Sequence, residues 1–310
     1  MSARDPRLTP ARPDLAAESL RGEIPAPRYA APRRMVVRAY AASVRRAPRR
    51  DAPLDTEALH GEAVDVYDMD DEGWAWGQLL VDGYVGYLPA DDLIAAEAAP
   101  THRVVAPRTF IYPVPDIKAP PLGALPLAAS VTGVAAAAGA EAMAKSAVAG
   151  AAAARFVRLA QGNTQGNAQE GGYVYAAHLA LQTAQAGGDH ASVAEKLVGA
   201  PYLWGGRSSL GLDCSALVQL SLLTVGKTCP RDSDMQAAEV GAALPAEALE
   251  ALTRGDLVFW RGHVGMMLDQ RTLVHANGHH MQVAIEPLAA AIARIADAGG
   301  GPVTALRAVS

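Results

Sequence analysis

Short runs of alternating apolar and polar residues dominate the chain from Met35 onward. The runs "MVVRAYAASVRR", "EAVDVYD", "WAWGQLLV" and "YVGYLP" are separated by the turn clusters "RRDAP", "DMDDEG" and "VDG". Alternation with a period of two is typical of half-buried β-strands. Because about five short strands fall within roughly sixty residues, we predict a small β-barrel over residues 35–98.

A second, degenerate copy of this pattern follows over residues 102–182. The segment "IYPVPDIKAPPLGALPLAASVTG" is similar to "RRAPRRDAPLDTEALHGEAVDV", and "GGYVYAAHLAL" is similar to "DGYVGYLPADDL". We therefore predict a second small β-barrel. The alanine-rich stretch inside this copy could instead form a short helix, which its residue propensities favour. Residues 1–34, rich in proline and arginine, are predicted to be a leader that wraps over a domain without a core of its own.

Helical spacing appears only after the linker "TAQAGGDH". It predicts one helix in "ASVAEKLVGAPYLWGG" and a second one that begins at Cys214, with Asp213 as its N-cap and Gly226 as its stop. The second helix is apolar on nearly all sides, which predicts burial. The strand-like runs "DLVFWRG", "HVGMML", "TLVHAN" and "MQVAIEP" follow. Helices before an antiparallel sheet predict an α+β domain over residues 190–310.

Composition narrows the class of protein. The 310 residues are 50% hydrophobic, and the net charge of −5 argues against a nucleic-acid or anionic-membrane partner. Two cysteines cannot form a disulfide framework, and the first thirty residues lack the apolar core of a signal peptide. The most apolar stretch, near 134–154, contains Glu141 and Lys145 and is a poor membrane span. We expect a soluble, monomeric, cytoplasmic protein.

Cys214 is the candidate nucleophile. In the first turn of a helix, free backbone N–H groups and the helix dipole favour a thiolate, which predicts a thiol pKa of about 7 or lower. The charge of Asp213 opposes this effect. The other cysteine, Cys229, is interpreted as structural. A disulfide between the two is disfavoured because the helix separates them by about 16 Å.

Two histidines on the following strands supply a candidate base and a group to orient it. If the turn between their strands is a tight loop over 268–270, His263 and His275 face each other with Cβ atoms about 5.5 Å apart. Another register would separate them. His279 and His280 raise a metal alternative, but Asn277-Gly278 predicts a two-residue hairpin turn that places them on an outward strand. We predict no metal and no cofactor.

These motifs resemble those of the NlpC/P60 family of papain-like cysteine peptidases. The resemblance covers about residues 190–310 and rests on "PYLWGGRSSLGLDCSALVQ", "RGDLVFWRGHVGMMLD" and "LVHA" in this order. It implies Cys214 as nucleophile, His263 as general base and His275 as the polar third residue. It also implies that Tyr202 helps to form the oxyanion site. Ala216 departs from the family, which usually has glycine at this position.

The two predicted barrels resemble the bacterial SH3 domains that precede this catalytic domain in one subgroup. That subgroup comprises γ-D-glutamyl-L-diamino acid endopeptidases, which cut murein peptides carrying a free N-terminal L-Ala. The resemblance implies substrate contacts for five residues: Glu62, Tyr84 (preferred over Tyr87), Trp204, Asp213 and Ser215. The expected partner is a murein peptide, and the expected role is recycling of cell-wall peptides. The alternatives are a non-catalytic protein that binds peptidoglycan fragments and an acyltransferase that uses the same thioester.

Overall fold

A computed structural model describes residues 4–134, 155–160, 171–184 and 187–309. The chain divides into two compact units, Met1–Ala184 and Gln185–Ser310, and each is described by itself. The stretch 135–154, for which we weighed a short helix, lies outside the described residues.

The leader contains regular structure. It forms a three-stranded sheet in which the second strand pairs parallel to the third: β1 (Ala11–Arg12), β2 (Leu15–Ala17) and β3 (Arg28–Ala30). The Arg12 guanidinium lies 4.8 Å from the ring centroid of Trp76, and the Val85 N–H donates to the Arg7 carbonyl at 2.8 Å. The leader therefore lies against the domain that follows it, and it does so as a small sheet.

The first barrel is a seven-stranded antiparallel sheet. Its strands are β4 (Arg33–Val37), β5 (Ala41–Arg45), β6 (Leu54–Leu59), β7 (Ala63–Met69), β8 (Trp74–Leu79), β9 (Val85–Pro89) and β10 (Leu93–Ala95). The strand order is β10-β4-β7-β8-β9-β5-β6. Alternate residues are buried along β5 and β9, as the period of two requires, and they form one apolar core. The prediction of an SH3-like barrel here is confirmed.

The second copy is confirmed only in part. Its described residues form three small sheets made from β11 (His102–Val104), β12 (Arg108–Ile111), β13 (Gly123–Pro126), β14 (Ser130–Val131), β15 (Phe156–Arg158), β16 (Tyr173–Tyr175) and β17 (Leu179–Leu181). The sheets are β14-β11-β17, β12-β13 and β15-β16. They enclose an apolar core that includes Ile111, Leu125 and Val174.

The second unit is α+β, as predicted. Its helices are α1 (His190–Glu195), α2 (Cys214–Thr224), α3 (Ser233–Glu239) and α4 (Leu288–Asp297). Its strands are β18 (Arg207–Ser208), β19 (Gly211–Leu212), β20 (Ala242–Leu244), β21 (Leu257–Trp260), β22 (His263–Met267), β23 (Thr272–Asn277), β24 (Gln282–Pro287) and β25 (Ala305–Ala308). Six of these strands form an antiparallel sheet in the order β20-β25-β21-β22-β23-β24, and α2 packs on β22 and β23.

The structure confirms the predicted limits of α2. The Asp213 carboxylate accepts a hydrogen bond from the Ala216 N–H at 2.8 Å, which caps the first turn. The helix ends at Thr224, and Gly226 follows with φ of 82°, a conformation that favours glycine. Nearly every side chain between these ends is buried. Among the described residues, we find no helix with the length and apolar character needed to span a membrane.

Candidate active site

Cys214 is the first residue of α2 and is buried beside the start of β22. Backbone N–H groups of Val264 and Ser215 are placed to donate hydrogen bonds to its sulfur. The packing of α2 on β22 thus brings the nucleophile to the strand that begins with His263. Cys229, the other cysteine, is also buried, and the two cysteines are not joined by a disulfide.

His263 and His275 are hydrogen-bonded to each other, with His263 Nε2 and His275 Nδ1 2.8 Å apart. They are not directly opposite, which corrects the predicted register. The pairing of Met266 with Val274, continued by one residue, places Gly265 opposite His275, so the two histidines meet on a diagonal. A Cβ at Gly265 would lie only 2.3 Å from Leu273 Cδ1, so a larger residue here would require the buried Leu273 side chain to move.

The histidine pair continues to an acid and a base that sequence reasoning missed. His275 Nε2 lies 2.7 Å from Glu286 Oε1, and the Arg294 guanidinium donates to the same oxygen. Glu286 belongs to β24 and Arg294 to α4. The alternation of strand residues could have placed Glu286 on one face of β24, but only the paired register shows that it meets His275.

Burial dominates the protonation of this site. It raises the pKa of the Cys214 thiol to about 12, with a further increase from the nearby Asp213 charge. It lowers the pKa of His263 to about 3 and that of His275 to about 4. The expectation of a thiol pKa near 7 was therefore wrong for the unliganded site, because desolvation outweighs the helix dipole. The resting pair consists of a neutral thiol and a neutral imidazole.

Asp213 and Ser215 share a buried partner, Arg231. The Arg231 guanidinium donates to both Asp213 carboxylate oxygens, at 2.9 and 2.7 Å, and to the Ser215 hydroxyl at 2.8 Å. Asp213 also accepts from the Gly205 N–H. Both residues therefore hold the loop before α2 against Arg231. Their contact with substrate stays a prediction.

Tyr202 and Trp204 lie on the segment that precedes the nucleophile. The Tyr202 N–H donates to the Met281 carbonyl at 2.9 Å, and its backbone bridges to Leu212. Burial raises the pKa of the Tyr202 phenol, as do the neighbouring Cys214 and Asp213 side chains, so the phenol stays a neutral donor. Trp204 is 70% exposed. A phenol close to the sulfur can act as an oxyanion donor, which stays a prediction.

In the first unit, Glu62 occupies the turn between β6 and β7. It is buried, and its carboxylate accepts from the Leu59 N–H at 2.8 Å. Tyr84 belongs to the apolar core of the first barrel and is only 4% exposed, whereas Tyr87 is half-buried beside Arg12. These positions favour Tyr87 over Tyr84 as the tyrosine that a ligand can reach, which reverses our preference.

The histidine cluster of "HANGHH" lies in a four-residue loop rather than on a strand. Asn277 pairs with Gln282, so Gly278, His279, His280 and Met281 form the turn, and the predicted two-residue turn is wrong. Met281 takes a φ of 52°, which closes the longer loop. Nitrogen atoms of His275 and His280 and an oxygen of Glu286 lie within 4.8 Å of one another. The Arg294 guanidinium on the same carboxylate opposes a cation at this cluster.

A cysteine at a helix start, beside a strand-borne histidine pair, defines the class of enzymes that use a cysteine–histidine nucleophile. Residues 199–294 match the model of the NlpC/P60 family, and residues 44–93 match that of the bacterial dipeptidyl-peptidase Sh3 domain. The chain therefore contains an NlpC/P60 domain in its second unit and a bacterial SH3 domain in its first.

Curated relatives and a solved structure agree with this assignment. A gamma-D-glutamyl-L-lysine dipeptidyl-peptidase of Bacillus cereus is 26% identical over 263 residues, which cover 76% of this chain and 71% of the relative. Dipeptidyl-peptidase 6 of Lysinibacillus sphaericus is 36% identical over 80 residues, which span 26% of this chain and only 28% of the relative. The crystal structure of an NlpC/P60 family protein from Bacillus cereus has a TM-score of 0.67 at 19% identity. The match covers 89% of this chain and 99% of that one, and it shows a shared fold.

Proposed function

We propose that this protein is a cysteine peptidase that hydrolyses the γ-D-glutamyl-L-diamino acid bond of murein peptides. The observation that carries the proposal is the hydrogen-bonded pair of His263 and His275 on the strands against which the Cys214 helix packs. The name of the Bacillus cereus relative supports the choice of bond.

In the proposed mechanism, the sulfur of Cys214 attacks the γ-carbonyl carbon of D-Glu while His263 accepts the thiol proton. The carbonyl oxygen becomes an oxyanion. Backbone N–H groups of the first turn of α2 and the Tyr202 hydroxyl are the available donors, each worth about 3 kcal/mol in comparable sites.

The two later steps use the same base. His263 returns its proton to the nitrogen of the leaving diamino acid, and the C–N bond breaks to leave a thioester on Cys214. Water then attacks the thioester carbon and gives up a proton to His263. The C–S bond breaks to release the γ-carboxyl group of L-Ala-D-Glu, and the proton from His263 restores the thiol of Cys214. Because the resting thiol and imidazole are both neutral, proton transfer accompanies the attack on the carbonyl.

Incubation with L-Ala-γ-D-Glu-diaminopimelate tests the proposal, with products identified by mass spectrometry. We expect free diaminopimelate and L-Ala-D-Glu from the wild-type chain and from Cys229→Ala. Cys214→Ala should lose at least about 10³-fold in kcat, because no other group can form the thioester. Binding without cleavage would favour the non-catalytic alternative, and ligation to an added amine would favour acyl transfer.

We include in the proposal a role in recycling murein peptides in the cytoplasm. In intact murein the amine of L-Ala is bound in an amide, so an enzyme that requires a free amine acts only on released peptides. This part of the proposal depends on the requirement for a free amine.

A further inference from the structure

The side chains of Glu286 and Arg294 extend the histidine pair away from the nucleophile. His275 is fully buried, while the side chains of Glu286 and Arg294 are 12% and 24% exposed. The Glu286 oxygen that meets His275 Nε2 at 2.7 Å also receives the Arg294 guanidinium. The side chains therefore follow one another in a row that starts at Cys214, continues through His263 and His275, and reaches Glu286. The row ends in the ion pair between Glu286 and Arg294.

The ion pair keeps Glu286 ionised. Burial alone would raise the pKa of this carboxyl, but the hydrogen bonds from Arg294 and His275 outweigh burial and lower it. An ionised carboxylate can only accept hydrogen bonds, so the proton between the two groups belongs to His275 Nε2.

This proton position fixes the tautomers of both histidines. With the proton of neutral His275 on Nε2, its Nδ1 has a lone pair and accepts from His263 at 2.8 Å. The proton of neutral His263 is then on its Nε2. Its Nδ1 is left bare, and a bare nitrogen is what a general base needs in order to take the thiol proton.

We propose that Glu286, held by Arg294, is a positioning residue that sets the histidine tautomers for proton transfer from Cys214. The proposal rests on the proposed function only in assuming that Cys214 is a nucleophile. It gives a role to a charged pair at the edge of a buried site, where an apolar pair would fold as well.

Glu286→Gln tests the proposal because glutamine keeps the shape and one acceptor oxygen but can also donate. The Gln oxygen stays toward the Arg294 guanidinium and His275 Nε2, which share one oxygen of Glu286, but a neutral amide oxygen accepts more weakly than a carboxylate. The tautomer with the His275 proton on Nδ1, which leaves His263 Nδ1 protonated, then competes with the productive one. We expect kcat to fall at least about tenfold, with KM changed less than about threefold. Asp297→Asn, which removes an exposed carboxylate at the end of α4, is the matched control and should match wild type.

Alkylation of Cys214 by iodoacetamide gives a readout independent of the substrate. Mass spectrometry follows Cys214 and Cys229 in the same sample, so Cys229 reports any loosening of the fold. We expect Glu286→Gln and Arg294→Met to slow alkylation of Cys214 at least about tenfold at pH 7.5 without a faster reaction at Cys229. Glu286→Asp, which restores the charge on a shorter side chain, should recover part of the rate.

The pH profile separates positioning from a structural role. The groups that face His275 are His263, Glu286, Arg294 and His280, and the Glu286 charge raises the pKa of both His263 and His275. Its removal should move the acidic limb of the alkylation profile to lower pH. An unchanged Cys214 rate and profile in Glu286→Gln would overturn the proposal. So would a chelator that reproduces the variant's effect on wild type, because Glu286 would then act as a metal ligand.

The two proposals can fail separately. If wild type does not cleave the murein peptide but Glu286→Gln still slows alkylation of Cys214, the proposed function fails and the positioning role stands. If the peptide is cleaved equally by wild type and Glu286→Gln, the positioning role fails alone.

Discussion

At the scale of single residues, a buried ion pair next to the nucleophile affects the pKa of its thiol. Arg231 and Asp213 have side chains that are 1% and 11% exposed, and their bidentate bond includes contacts of 2.7 and 2.9 Å. The Asp213 charge raises the pKa of the Cys214 thiol, whereas the Arg231 charge lowers it. Arg231 therefore offsets the rise in the thiol pKa that the Asp213 cap causes next to the sulfur.

Arg231→Met should destabilise the second unit by about 3–5 kcal/mol, because it leaves the Asp213 carboxylate buried without its cation. Urea unfolding measures the loss. The double variant Asp213→Asn with Arg231→Met should recover part of it, since asparagine still caps a helix and carries no charge. If the double variant is no more stable than Arg231→Met alone, the loss arises from packing and the electrostatic account is wrong.

The residues predicted from sequence and those missed differ in a physical way. Cys214, His263 and His275 could be selected because the motifs that contain them resemble, in order and spacing, those of a known peptidase family. Glu286, Arg294 and Arg231 belong to residue types that usually face solvent, and only tertiary contacts reveal their partners. The thiol pKa was misjudged for the same reason. The helix dipole can be inferred from the sequence, but the depth of burial that opposes it cannot.

At the scale of elements, strand positions were predictable and strand registers were not. The alternating runs located β7, β8, β9 and β22 to within two residues. The diagonal contact of the histidines depends on the pairing of β22 with β23, which the turn sets. The Asn-Gly pair predicted a hairpin but not its four-residue loop, because cross-strand pairing of Asn277 with Gln282 fixes the loop length. The helices α3 and α4 were also missed.

Burial of α2 on all sides gives a direct test of its role in the core. Leu220 is fully buried in this helix, and Leu210, in the preceding loop, is 58% exposed. Leu220→Ala should lower the free energy of unfolding of the second unit by about 2–5 kcal/mol, from lost burial and the cavity left behind.

Leu210→Ala is the matched control and should change the free energy of unfolding by less than about 0.5 kcal/mol. Denaturant unfolding of both variants makes the comparison. Equal losses of unfolding free energy in the two variants would show that burial in the helix does not determine how much the leucine contributes to stability.

At the scale of the whole molecule, composition and the spacing of apolar residues predicted the division into two units. They predicted the arrangement of strands within the first unit only in part. The change from period-two runs to helical spacing falls near residue 185, where the two units divide. The proline-rich leader does not resemble a sheet in sequence, yet it forms β1, β2 and β3 against the first barrel. Short strands with two or three residues have too little periodicity to be recognised.

The prediction that concerns both units is a requirement for a free N-terminal amine on the substrate. The resemblance assigns amine recognition to Glu62 in the first unit, while the nucleophile belongs to the second. An ammonium taken from water needs a carboxylate partner, and a buried carboxylate left without its cation costs several kcal/mol. N-acetylation of L-Ala-γ-D-Glu-diaminopimelate removes the positive charge, so we expect kcat/KM to fall by at least about 100-fold.

Glu62 itself is tested by Glu62→Gln rather than by alanine, because its carboxylate also accepts from the Leu59 N–H and glutamine keeps an acceptor there. The variant should lose most of the preference for the free amine by lowering kcat/KM on the free peptide, while the melting temperature stays near that of wild type. Asp82→Asn, in the turn before β9 of the same barrel, is the control and should keep the preference.

Equal kcat/KM for free and acetylated peptide in wild type would contradict the amine requirement. The cleavage activity of Cys214 would stand, but the restriction to released peptides, and with it the recycling role, would lose its physical basis.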